Sequence, residues 1–164
     1  MSGESEIFEQ LKNLAGLKTL ILGVGQILKG DDGVGPILCQ KLSGRISADI
    51  MEAGTVPENY IQPIIKQAPE NLFVIDAIDF EAEPGTIKVF PAEQLSSAAF
   101  STHTLSPRLF IDLIRRQLDV NVHLIGIQPA NLEFGQPLSP PVSEALDILV
   151  GLFVKIFPPR RSAP

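Results

Sequence analysis

The chain holds one cysteine, Cys39, in 164 residues. A lone thiol forms neither an internal disulfide nor a multi-cysteine zinc or iron–sulfur site, so a reducing compartment, the cytoplasm, is the expected location. Positive charge is also scarce: 13 Lys and Arg stand against 19 Asp and Glu, a formal net charge of -6. Long-range steering then repels DNA, RNA and anionic membrane, and no nucleic-acid partner is expected. Long apolar runs are missing as well. The longest, Ala145 to Phe157, covers 13 residues and is interrupted by Asp147 and Lys155. That is short of the roughly 20 needed to cross a bilayer, so no membrane insertion is expected. Residues 1–10 carry three glutamates and no apolar stretch of signal-peptide type.

What is present suits one compact domain. The length fits a single core, and 45% of the residues are hydrophobic. Ile7, Leu11 and Leu14 recur at helical spacing, which predicts a helical leader over residues 1–16. Thr19-Leu20-Ile21-Leu22 reads as a strand buried on both faces, and Gly23-Val24-Gly25 closes it. Val34, Ile37, Leu38, Cys39 and Leu42 then describe a helix, with Asp31 or Asp32 placed to cap it. The alternation repeats: a strand near 48–53, a helix over about 57–67, and the apolar strand Leu72-Phe73-Val74-Ile75 ending at Asp76. Further strands are expected at 86–90 and 122–127, and further helices from Ser106 to Leu118 and from Pro140 to Phe157. The fold expected is α/β, a single three-layer domain over 1–157 with a mostly parallel central sheet flanked by helices. Residues 158–164, with three prolines, are expected to form a disordered tail.

In open parallel sheets ligands bind at the carboxyl ends of the strands. The polar residues falling there are Asp31, Asp32, Glu52, Thr55, Asp76, Asp79 and His103. Taken singly, each also suits a helix cap or a turn. Together, two carboxylates and an imidazole make a donor set for a divalent transition metal. A dinucleotide-binding fold competes for the same glycines, but the third glycine of its fingerprint would fall on Leu28. Asp31 and Asp32 would also put like charge where a pyrophosphate needs free amide donors. No Gly-x-Ser-x-Gly elbow is present, Cys39 falls on the apolar face of a helix, and His123 sits inside a strand.

The run Gly23-Val24-Gly25-Gln26-Ile27-Leu28-Lys29-Gly30-Asp31-Asp32-Gly33-Val34-Gly35-Pro36 is followed in order by several shorter motifs. These are Glu52-Ala53-Gly54-Thr55, Val74-Ile75-Asp76-Ala77, Pro84-Gly85, Thr102-His103 and Gly126-Ile127-Gln128-Pro129. The set resembles the hydrogenase maturation endopeptidases, in particular the branch serving hydrogenase-3-type enzymes. The resemblance implies an endopeptidase that removes the C-terminal extension from the precursor of a nickel–iron hydrogenase large subunit after nickel insertion. It carries the catalytic and metal-contacting positions onto Asp32, Asp76 and His103, and leaves Asp31 as a helix cap. Glu52, Gly54 and Thr55 are placed along the substrate groove. The sequence departs from the family pattern at Gln26 and at Glu52-Ala53-Gly54, and keeps all three ligand positions. The implied cofactor is nickel carried by the substrate, with other divalent metals able to occupy the same donors in vitro. Metal there would polarise the scissile carbonyl, lower the pKa of a bound water, or serve recognition alone. Two alternatives of other classes are a non-catalytic metal-sensing maturation chaperone and the dinucleotide-binding domain.

Overall fold

The computed structural model describes residues 3–92 and 106–160. In chain order the elements are α1 (Gly3–Lys12), β1 (Thr19–Val24), α2 (Val34–Leu42), β2 (Asp49–Gly54), α3 (Ile61–Gln67) and β3 (Asn71–Ala77). They continue with β4 (Ile87–Pro91), α4 (Pro107–Arg115), β5 (Asn121–Ile127) and α5 (Pro140–Ile156). Short 3-10 turns at Gly30–Gly33 and Pro57–Tyr60 precede α2 and α3.

The strands form one sheet in the order β2-β1-β3-β5-β4. All neighbours are parallel except β4, which runs antiparallel along the edge of β5. An edge position suits β4, because Pro91 has no N–H to give a second neighbour. Every residue of β1 and β3 is buried, which explains why both read as continuous apolar runs rather than as alternating ones.

Alternate residues of these strands feed two cores. Ile21, Phe73, Ile75 and Ile125 pack with α1, α2 and α5 on one face. Leu20, Leu22, Val74 and Leu124 pack with Ile64 of α3 and Phe110, Ile111 and Ile114 of α4 on the other. The result is the three-layer arrangement that the alternation of apolar segments predicts. The leader joins the first core through Ile7 and Leu11, both buried.

Local chemistry sets where the later helices begin. Ser106 Oγ accepts the Leu109 N–H at 3.2 Å, and Pro107 occupies the first turn of α4. Helix α2 departs from expectation: neither Asp31 nor Asp32 caps it, and both are consumed in the 3-10 turn before it. Among the described residues no helix is long and apolar enough to cross a membrane. Of the expected tail, residues 158–160 carry no helix or strand, and 161–164 lie outside the described residues.

Candidate active site

The carboxyl ends of β1, β2 and β3 converge on one short segment, Gly25-Gln26. Pairing of β1 with β2 slips where Val24 passes Ala53 to lie opposite Gly54. One bond follows, from the Gly25 N–H to the Gly54 carbonyl at 2.8 Å. Gly25 then adopts φ +138, a backbone that side-chain-bearing residues rarely take. A Cβ at that position would stand 1.8 Å from the Asp32 carbonyl oxygen and 3.6 Å from Asp76 Oδ1. Glycine therefore lets the 3-10 turn close over the end of β1 until Asp32 and Asp76 flank the same segment.

Each carboxylate arrives by a different route. Asp76 is carried at the end of β3, opposite Gly126 of β5, and is fully buried. Asp32, also fully buried, accepts the Gln26 N–H on Oδ2 at 2.8 Å, which ties the carboxylate back onto the loop leaving β1. Removing two carboxylates from water in one small region is costly unless donors or a cation compensate. Gln26 supplies one such donor. The third expected member, His103, lies outside the described residues. Among the described residues no three His, Cys, Asp or Glu side chains gather as a metal-holding group.

A groove of about 370 Å³ opens beside this pair. Its lining includes Gly25 and Gln26 on one side and Glu52, Gly54, Thr55 and Tyr60 on the other. Glu52, Gly54 and Thr55, expected from the sequence to line a groove, thus stand along one that ends at the segment between the two acids. Gln40 Nε2 donates to Glu52 Oε1 at 2.9 Å and fixes that wall. Tyr60 joins the lining without a sequence signal, since an aromatic in a polar turn carries no local sign of what it faces.

Two buried polar residues shape the surrounding loops. Gln128 Oε1 accepts the N–H groups of Phe80 and Ala82 at 2.8 and 3.2 Å, while its Nε2 donates to Asp79 Oδ1 at 3.1 Å. This bracket fixes the chain that leaves Asp76. The Glu81 N–H and then the Gln128 amide hold the exposed Asp79 carboxyl below the usual carboxylate range. Asp79 is therefore a loop fastener, bonded to Glu81 and Gln128.

The second residue is Asp31, expected as the cap of α2 but found doing something else. Its Oδ2 accepts from Ala130 N–H at 2.8 Å, Asn131 N–H at 3.0 Å and Ser139 Oγ–H at 2.8 Å. Its Oδ1 accepts the Ser139 N–H at 2.7 Å. The carboxylate serves the start of α5 and the loop before it, about a hundred residues away in sequence, where a helix N-terminus favours negative charge.

Cys39 and His123 drop out as reacting groups. The Cys39 thiol is buried beneath β2, and burial, helped by the charge of Glu52 and opposed by a backbone hydrogen bond from Gly23, pushes its pKa up to about 12. It is held as the thiol at neutral pH, so the native protein should resist alkylation by iodoacetamide and react only on unfolding, as mass spectrometry would register. Rapid native labelling would contradict this assignment. The His123 ring lies 5.7 Å from that of Phe73, three positions before the strand residue opposite Asp76, and belongs to the middle of the sheet.

A family model described as HycI, hydrogenase maturation protease, matches residues 37–156. The chain belongs to the hydrogenase maturation proteases. Among curated relatives, the hydrogenase 3 maturation protease of Escherichia coli K12 is 29% identical over 131 residues, covering 78% of this chain and 83% of that protein. Among solved structures, the [NiFe] hydrogenase maturation protease HycI from Thermococcus kodakarensis superposes with a TM-score of 0.80 at 28% identity, covering 90% of this chain and 97% of that one. The solution structure of the endopeptidase HycI from Escherichia coli gives 0.73 at 28% identity, covering 82% and 87%. The family match includes Asp76 and the groove wall at Glu52, Gly54 and Thr55, and begins beyond Asp32. As a hydrogenase maturation protease, the chain has no need of the dinucleotide reading of its glycines.

Proposed function

We propose that this maturation protease removes the C-terminal extension of a nickel–iron hydrogenase large-subunit precursor in the cytoplasm, and that it reads the nickel already bound there through Asp32, Asp76 and His103. The observation that carries the reading is the placing of two buried carboxylates on either side of Gly25-Gln26, at the end of an open groove. A peptidase needs a track for an extended chain and polar groups at one point along it. This site has both.

The donor chemistry supports a shared ion rather than an owned one. Carboxylates and imidazole are hard to borderline ligands, and two or three of them make a weaker holder of nickel than the cysteine thiolates expected in the substrate. The ion would then belong to the precursor and act as its docking feature, aligning the extension in the groove before the peptide C–N bond is broken by water. Within the protease, Gln26 orients Asp32, β3 fixes Asp76, and Glu52, Gly54 and Thr55 guide the chain. Other divalent ions offered in vitro would occupy the same donors.

The test compares precursor made with and without nickel, at equal concentration and with free metal chelated. A shortened large subunit should form only from the nickel-loaded precursor. Equal trimming of both at the same bond would place recognition in the peptide alone. Tight binding with no trimming of either would favour a metal-sensing chaperone.

A further inference from the structure

Beside the groove lies a surface that folding leaves unexplained. Leu28 is 67% exposed, Phe134 71% and Ile27 43%, three of the five large hydrophobic residues that are exposed among the described ones. Singly exposed apolar residues are ordinary, but contiguous ones mark contact surfaces. These three line one hollow of about 550 Å³ between the loop after β1 and the loop before α5.

The hollow is held rigidly by polar chemistry beneath it. The Gly135 N–H donates to the Leu28 carbonyl at 2.9 Å, and the Asp31 N–H to the Asn131 carbonyl at 2.8 Å. The loops approach so closely that a Cβ at Gly30 would stand 2.6 Å from the Asn131 carbonyl oxygen. Buried Asp31 closes the junction through the four bonds described above. Loops already held by hydrogen bonds need not be ordered on binding, which favours a preorganised contact.

Ile27 lines both this hollow and the groove beside Gly25 and Gln26, the segment that Asp32 and Asp76 flank. The two depressions are therefore one surface, polar along Glu52 and Thr55 and apolar along Leu28 and Phe134, with the carboxylate pair near their junction. We propose that the apolar hollow binds a hydrophobic segment of the large-subunit precursor flanking the scissile bond, on the opposite side from the stretch held along Glu52 and Thr55. This rests on the processing reading, because an endopeptidase must hold its chain on both sides of the bond it cuts. The occupant follows from that continuity: a segment leaving the groove past Ile27 runs directly onto Leu28 and Phe134.

The experiment uses the full chain and nickel-loaded precursor, with Leu28→Ser and Phe134→Ser made singly and together, and Leu109→Ser, exposed on helix α4 and outside the lining of the hollow, as the comparison. Three readouts are taken: melting temperature, precursor affinity by biolayer interferometry, and cleavage kinetics. The double variant should melt with the parent, bind precursor at least about tenfold more weakly and raise KM by a similar factor with kcat within about twofold, the signature of lost uniform binding. Leu109→Ser should match the parent throughout. Parental cleavage with unchanged KM and affinity in the double variant overturns the hollow and leaves the processing reading standing. Binding without cleavage by the parent overturns processing, and with no scissile bond to flank it overturns the hollow's assignment too. Absence of both binding and cleavage in the parent overturns both. A parent that sediments as a dimer dissociated by Phe134→Ser would assign the surface to a second copy of the chain and overturn the proposal.

Discussion

Asp32→Asn and Asp76→Asn should each slow precursor processing by roughly a hundredfold or more, the cost of misplacing the reacting groups by about 1 Å, while melting within a few degrees of the parent. The two effects separate because the carboxylates carry charge rather than packing. At position 32 an amide oxygen can still accept the Gln26 N–H, so the turn over Gly25 keeps its hydrogen bond. At position 76 an isosteric amide fills the same buried space at the end of β3. Two buried carboxylates flanking one short segment also repel each other in the absence of a cation, and neutralising one relieves that repulsion. Loss of function at unchanged or raised stability is thus the expected pattern. His103→Ala is assigned to the same set by the proposed donor role. Formation of the shortened large subunit and thermal melting, followed on the same preparations, check it. Near-parental processing by any of the three would remove that residue from the site, and a melting point lowered by more than about ten degrees would recast an acid as part of the scaffold.

The contrast between these acids and their neighbours shows what the sequence can disclose. Asp76 is legible because β3 is an unbroken apolar run, and the first acid after such a run must emerge at the carboxyl edge of the sheet. The groove wall at Glu52 to Thr55 is legible for the same reason at the end of β2. The layers follow from the alternation of strand-like and helix-like segments. Strand order is less accessible: β4 returns antiparallel to pair outside β5, and nothing in Ile87–Pro91 distinguishes a parallel from an antiparallel edge except the proline that keeps it at the border. Residues whose partners are remote in sequence leave no local trace. Gln128 reaches Phe80 and Ala82, and Phe134 lines one hollow with Leu28, only because β5 and α5 bring their flanking loops back to the end of β1. The role of Asp31 is hidden for this reason. An acid ahead of an apolar helix is the usual sign of a cap, and the true demand on it comes from Ala130, Asn131 and Ser139.

Asp31 is accordingly expected to be the most sensitive polar residue for stability. Local reasoning makes Asp31→Asn harmless, since Asn caps a helix about as well as Asp. The structure predicts otherwise, because all four groups facing the carboxylate are donors and both oxygens are in use. Whichever way an amide is turned, its NH₂ faces at least one N–H, and a buried donor left without an acceptor costs about 1–3 kcal/mol. Asp31→Asn should therefore cost roughly 2–3 kcal/mol, and Asp31→Ala, which strands every donor, roughly 3–5 kcal/mol. At about 2–4 °C per kcal/mol for a chain of this size, the alanine variant should melt roughly 6–20 °C below the parent. Ser139→Ala, which removes only the hydroxyl donor and keeps the backbone bond at 2.7 Å, should cost about 1 kcal/mol. Processing should fall together with stability in the Asp31 variants, because the same carboxylate anchors the turn that presents Asp32 and the loop that presents Phe134. Urea denaturation of the four proteins supplies the ranking. If Asp31→Asn unfolds at the parental midpoint, the carboxylate does not hold the two loops together, and the rigidity argued for the hollow beside the site is lost with it.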